Sequence, residues 1–382
     1  MPITKCRVCG SNLGNESLLQ YRNMPKAAQF MPGLEDLAKE KGVDLDVYQC
    51  SGCGLIQLNS EPVPYFREVV RASSFSDEMR GFRLNQFRDF VKTYHLGQKK
   101  FLEVGCGRGE YLSLLKETGL DAFGVEYSQT AVDFCKKSGL KAVQGFIDRP
   151  DYLVENGPFD GFGIFSFLEH LPKPNSVLKG IANNLRKDAV GIVEVPNFDM
   201  IREKKLFSEF IVDHLFYFTK DTLHLTLSMN GFDVLDIQEV WHKYILSAVV
   251  RKRSQVTISE FIVTQQHLSR ELNDFINQFP EKQVAVWGAS HQALAILSLA
   301  GIGEKIRYVV DSAVFKQGKY TPATHIPIVA PDKLNKDPVK AVIVMAASYT
   351  DEVAGIVKER YGNRMTVAIL RDGGLENLNY CI

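Results

Sequence analysis

The stretch KKFLEVGCGRGE at residues 99–110 constrains this chain more than any other. An apolar run long enough for one strand ends at Gly105, and Gly107 and Gly109 follow before a helical pattern starts at Glu110. Glycines so placed let the backbone turn sharply and pass close to a ligand with no Cβ in the way, while the helix behind them offers free amides. The alternation then repeats. EYLSLLKETG is a helix stopped by Gly119, DAFGVEYS a strand, and QTAVDFCKKSG a helix stopped by Gly139. KAVQGF, FDGFGIFSFLEHL and AVGIVEVP supply three more strands, separated by helical stretches such as PNSVLKGIANNLR. Such alternation predicts an α/β fold built on a Rossmann-like, doubly wound parallel sheet.

At 382 residues the chain suits two or three domains. Boundaries are expected near residues 65 and 255. The first segment (1–65) carries Cys6, Cys9, Cys50 and Cys53 as two C-x-x-C pairs, each followed by glycine. In a reducing compartment matched pairs point to a metal, and four thiolates around one ion predict a structural zinc with no open position; a redox dithiol or free cysteines are the alternatives. The second (66–255) holds the alternating core. The third (256–382) opens with a helix, SEFIVTQQHLSRELNDFINQF, whose apolar stripe predicts core packing, and continues as a second, smaller α/β domain. There KQVAVWGAS is a strand entering a glycine turn, HQALAILSLAG a helix, and IRYVVDS, AVIVMAAS and MTVAIL are strands. Lys plus Arg and Asp plus Glu balance at 45 each, so no net charge recruits nucleic acid or an anionic membrane. No apolar run reaches the roughly 18 residues of a membrane span, and the N-terminus lacks an apolar leader, which predicts a soluble cytoplasmic protein.

A glycine turn alone also suits a nicotinamide dinucleotide. Its neighbours narrow the choice. Glu103 precedes the first glycine, and Glu126 ends the next strand, where a carboxylate accepts from both ribose hydroxyls. This E-x-G-x-G-x-G pattern resembles class I S-adenosylmethionine methyltransferases. The resemblance implies that Glu103, Gly105, Gly107 and Glu126 hold the donor. It implies further that Tyr127, Ser128, Gln144, Gly145 and Phe146 border its adenine, and that Phe165 and Ser166 face it from the fourth strand, ahead of Glu169 and His170.

The whole order is similar to the three-domain nucleotide-sugar C-methyltransferases: zinc module, methyltransferase core, and a C-terminal domain with a GAS turn (Gly288, Ala289, Ser290) and a K-Q-G-x-x-T-P motif (Lys316–Pro322). Their E-H-L-x-Y-F motif reads Asp213, His214, Leu215, Phe216, Tyr217, Phe218 here. The resemblance implies that His214 is the general base, oriented by Asp213, that His170 is a second active-site histidine, and that Met79 and Arg80, with Ser74, lie on a helix covering the donor. Gly288, Ser290 and Lys316 would bind the acceptor, a small molecule expected to be a nucleotide-linked keto-sugar. Ile211 stands where the family carries a tyrosine, and Val69–Ser74 replace a tyrosine and a serine-rich run. O- or N-methylation of another metabolite, and a zinc-bearing binding protein without turnover, are the alternatives.

Overall fold

The computed structural model describes residues 2–27, 29, 31–68, 76–361, 364–372 and 374–378. Backbone contacts divide the chain into two compact units, Met1–Gln255 and Val256–Ile382. The first unit begins with β1 (Leu19–Met24), β2 (Val43–Gln49) and β3 (Ile56–Leu58), paired antiparallel. Next come α1 (Asp77–Thr93), β4 (Lys100–Val104), α2 (Glu110–Glu117), β5 (Asp121–Glu126), α3 (Gln129–Lys137), β6 (Lys141–Gln144) and β7 (Phe159–Phe165). A short 3-10 turn at Leu168–His170 leads into α4 (Pro174–Asn183), β8 (Leu185–Pro196), α5 (Phe198–Glu203), β9 (Phe216–Tyr217) and α6 (Lys220–Met229). The hairpin of β10 (Phe232–Val240) and β11 (Ile245–Lys252) completes the unit.

Seven strands form the large sheet in the order β10-β11-β8-β7-β4-β5-β6. β4 to β8 run parallel, and the hairpin closes one edge antiparallel. Buried on both faces, β4, β5, β7 and the second half of β8 read as nearly continuous apolar runs rather than alternating ones, while the edge strand β6 is exposed at both ends. β5 and β6 lie to one side of β4, β7 and β8 to the other. The glycine turn leaving β4 therefore sits at the switch point, where open α/β sheets take their ligands.

β9 does not join that sheet. It pairs with β3, Ile56 opposite Tyr217 and Gln57 opposite Phe216, which makes a four-stranded sheet β1-β2-β3-β9. Three short strands alone expose an edge and bury little apolar surface, and the fourth strand remedies both. Cys6, Cys50 and Leu55 are buried in one hydrophobic cluster with Leu168, Leu215 and Phe216. The cysteine-bearing segment thus folds onto the alternating core.

In the second unit α7 (Ser259–Ile276) precedes β12 (Val284–Trp287), α8 (His291–Leu299), β13 (Ile306–Val310), β14 (Ile328–Val329), α9 (Lys333–Lys336), β15 (Ala341–Val344), α10 (Thr350–Tyr361), β16 (Thr366–Arg371) and β17 (Gly374–Asn377). The sheet order is β14-β13-β12-β15-β16-β17, parallel except for β17. The α7 stripe is buried at its C-terminal end, at Leu272, Phe275 and Ile276, while Phe261, Ile262 and Val263 are exposed. Among the described residues no helix is long and apolar enough to cross a membrane.

Candidate functional site

The corner after β4 is built from backbone. Gly105 has φ +71°, and a Cβ there would lie 2.8 Å from the Phe167 ring, so a side chain is refused on conformational and steric grounds alike. Glu126, at the end of β5, grips the corner. One carboxylate oxygen accepts from the Gly107 amide and the other from the Ser128 amide, each at 2.9 Å. A carboxylate has about four lone-pair sites, so these two bonds fix its orientation and leave acceptor capacity for a ligand. Glu103 is wholly buried in β4 beneath the same turn.

A slot beside the corner is lined by Val104, Gly105, Glu126, Tyr127, Gly145 and Phe146, with Arg67 and Phe167. Gln144 donates to the Tyr127 carbonyl at 3.2 Å and lies on the outer side. Arg67 stacks over Phe146 (5.2 Å) and Tyr127 (5.6 Å), a cation on two ring faces. The ring facing the glycine turn is Phe167, whereas the expected Phe165 packs on the other side of the sheet against Phe87 and Tyr111. Ser166 adopts φ +46°, which breaks the strand alternation and turns the next side chain into the cleft. Met79 and Arg80 open α1, but Arg80 pairs with Glu117 at the far end of α2 (2.7 Å) and not with the glycine turn. Ser74 and the rest of Val69–Ser74 lie outside the described residues.

From the slot a track of aromatic rings leads inward. Tyr127 meets Phe146 at 6.1 Å, Phe146 meets Phe167 at 6.5 Å, Phe167 meets His170 at 6.5 Å, and His170 meets His214 at 4.8 Å. His170 Nδ1 lies 2.8 Å from the backbone carbonyl of Asp213. A carbonyl only accepts, so Nδ1 carries the proton and Nε2 keeps its lone pair. Asp213 thus orients His170 through its main chain, where the sequence suggested a side chain acting on His214. Beside it, a largely apolar cavity of about 580 Å³ is lined by Met24, Met31, Phe207, Ile211, Val212 and Asp213 among others.

Burial pushes both imidazoles below their ordinary range, His170 to about 4 and His214 to about 3, the latter also through the charge of His170. Both are neutral at physiological pH. The unfolded chain protonates these histidines as pH falls through 6.5, the folded chain only near 4 and 3, so the unfolded state binds more protons in between. Stability contributed by the pair is therefore complete above pH 6.5 and lost on acidification toward about 3, by an amount on the order of a few kcal/mol. Urea midpoints from pH 7.5 to pH 4 should fall, and His170→Gln should flatten the slope; equal slopes in both proteins would contradict it.

Sequence reasoning passed over the anchor of α1. Arg83 and Glu194, 1% and 0% exposed, form an ion pair at 2.5 Å, and Gln86 donates to the other Glu194 oxygen at 2.6 Å. The signal was there: one acid inside the apolar run AVGIVEVP.

Cys6, Cys9, Cys50 and Cys53 converge, with Sγ atoms 3.7 Å apart for Cys6 and Cys53 and 3.4 Å for Cys9 and Cys50. Thiolates about 2.3 Å from a tetrahedral ion stand about 3.8 Å apart, so the donor set fits a closed metal site.

In the C-terminal unit Gly288, Ser290 and Lys316 gather around Asp311, which the sequence reading did not single out. Asp311 accepts from the Ala289 and Ala313 amides at 2.9 and 2.8 Å, and Lys316 Nζ lies 2.8 Å from it. The Lys316 charge is therefore spent within the protein. Ser290 caps α8 by accepting from Ala293 N. Gly288 has φ +117°, and a Cβ there would lie 2.5 Å from the Met345 carbonyl.

Comparisons with known proteins agree with this geometry. A methyltransferase domain model matches residues 78–237, and a C-methyltransferase C-terminal domain model matches residues 253–369. The chain is 24% identical over 411 residues to the C-methyltransferase NovU of Streptomyces niveus, with 96% of each covered. It is 35% identical over 89 residues to a ubiquinone biosynthesis O-methyltransferase of Methylococcus capsulatus, 22% of this chain and 37% of that one. Among solved structures, the PH0226 protein of Pyrococcus horikoshii OT3 aligns with 47% of this chain and 92% of its own at 18% identity and TM-score 0.39. An S-adenosylmethionine-dependent methyltransferase of Clostridium acetobutylicum aligns with 50% and 96% at 13% identity and TM-score 0.38. Both halves of the chain answer to one chemistry, and the protein is a class I S-adenosylmethionine-dependent methyltransferase, similar along nearly its whole length to the C-methyltransferase NovU.

Proposed function

We propose that this methyltransferase acts in the cytoplasm on carbon of a nucleotide-linked keto-sugar, with His214 as general base and a structural zinc in the four-cysteine site. The observation that carries the reading is the pair of neutral imidazoles where the ring track from the glycine corner ends. Similarity to NovU and the C-methyltransferase C-terminal domain match support carbon as the acceptor atom.

The glycine corner, Glu126 and the ring-lined slot suit an adenosyl group. When bound, the donor supplies a methyl activated by its sulfonium, so the chain's task is to hold an acceptor in line and exclude water. Glu126 orients the ribose end, while Phe146 and Phe167 keep the slot apolar. A carbon beside a ketone is acidic enough to yield its proton to a neutral imidazole. The forming enolate favours the protonated ring and opposes the depression that burial imposes on His214. His170, held by the Asp213 carbonyl and neutral at physiological pH, places no positive charge beside the ring that takes the proton. The turn at Gly288–Ser290 is our candidate for the acceptor's nucleotide.

Glu126→Ala should weaken binding of the demethylated donor about tenfold to a hundredfold, the worth of one or two hydrogen bonds to a charged group. Calorimetry reads this directly, and an unaltered Kd would remove Glu126 from the site. The acceptor is tested by supplying donor with a carbon-13 methyl group and a panel of nucleotide keto-sugars. Label in a carbon-bound methyl is expected; label in an O-methyl or N-methyl group would overturn the carbon assignment.

A further inference from the structure

The metal site and the histidine pair share a strand pairing. Gln57, on β3, is wholly buried, an unusual place for an amide side chain. Its Nε2 donates to Cys6 Sγ at 3.1 Å, and its Oε1 accepts from the Arg7 amide at 3.3 Å. Arg7 in turn donates from its guanidinium to the carbonyls of Leu58, at 2.7 Å, and Ser60, at 2.5 Å. The first cysteine turn is thereby tied to β3 from both ends of one residue.

β3 is in turn tied to the chain around His214. The Leu58 amide donates to the Leu215 carbonyl at 3.0 Å, and Gln57 and Ile56 pair with Phe216 and Tyr217. The Leu215 amide donates to the Glu169 carbonyl at 2.8 Å, and the residue before His214 accepts from His170. His214 thus hangs on a short segment held on one side by the 3-10 turn that carries His170 and on the other by β3. A strand of two residues has little stability of its own, so its position follows that of its partner.

We infer that the four-cysteine metal site is a positioning device for the reaction: the metal fixes the first cysteine turn, Gln57 transmits its position to β3, and β3 sets the segment that carries His214. Gln57 is a positioning residue, bonded to a metal ligand and touching no reacting atom. An N–H donor on a ligand sulfur holds that ligand's orientation, as the outer bonds of metal sites do. The inference rests on His214 acting in the reaction only for its consequence in rate; the structural link stands apart from that reading.

The test is Gln57→Leu, which keeps the side chain's bulk and removes both polar contacts. Expected results are zinc content by metal analysis equal to that of the parent chain, Kd for the demethylated donor within about twofold, amide hydrogen exchange at Leu215–Phe218 about tenfold faster, and kcat down about tenfold with KM changed less. Unaltered exchange at Leu215–Phe218 with zinc retained would overturn the link. Faster exchange with unaltered kcat would uphold the link and count against His214 as the base. Should the variant not fold, the parent chain stripped of zinc by a chelator gives the same reading. Exchange should then quicken at Leu215–Phe218 while β4 stays protected, and uniform loosening or none would refute the inference.

Discussion

His214→Ala should lower turnover by roughly a hundredfold or more while leaving donor affinity nearly unchanged, the signature of a lost general base. The split follows from the layout. The groups we propose to face the donor lie at the glycine corner and along Tyr127, Phe146 and Phe167, whereas His214 meets His170 and Tyr217 beyond them. Truncation at the inner end therefore leaves the slot intact. His170→Ala should cost less, because in the proposed scheme His214 and not His170 takes the proton. Methyl-transfer rates and calorimetry with the demethylated donor decide the matter together. Turnover equal to the parent's would remove the base assignment, and a parallel loss of donor affinity would move His214 into the donor pocket.

The largest effect on stability is expected at Glu194. Arg83 is enclosed by the rings of Phe82, Tyr111 and Phe165 at 5.2, 4.9 and 5.8 Å, and its charge is met by Glu194 from β8. Gln86 and Ser247 extend the network, with Gln86 donating to the Ser247 hydroxyl at 3.1 Å. Removing one partner of a buried pair strands the other charge in apolar surroundings. Glu194→Ala should therefore cost about 3–5 kcal/mol in urea unfolding. Replacing both charges together, as Arg83→Met with Glu194→Leu, should recover most of that loss, since a desolvated pair and an apolar pair of similar volume are nearly equivalent. If the single variant were as stable as the parent, the pair would be no anchor for α1.

What could be read from the chain itself was whatever is set by neighbours in sequence. The β4 turn and its glycines, Glu126 at the end of β5 and the two cysteine turns each depend on a few adjacent residues; Glu126 bonds to the glycine turn, and the two cysteine turns converge on each other. Less legible was everything fixed by long-range pairing. The two residues of β9 read as part of an aromatic run, and nothing local indicates that they complete the sheet of β1 to β3. Phe165 and Phe167 look interchangeable in FSFLEH, and only the left-handed backbone at Ser166 decides which of them faces the cleft. Lys316 looked like an anion hook although its partner Asp311 is only five residues away, because Asp311 closes the preceding strand motif and the turn that folds Lys316 back onto it carries no sequence signature. Glu194 stood out in its strand, yet the Arg83 that explains it is 111 residues away.

Deuterium wash-in tests the central claim most directly. Incubated in heavy water with a nucleotide keto-sugar and without donor, the parent chain should exchange the proton on the carbon beside the ketone, and His214→Ala should not. No exchange by the parent across the keto-sugars tried, or equal exchange by both proteins, would contradict an imidazole-generated enolate as the species that takes the methyl group.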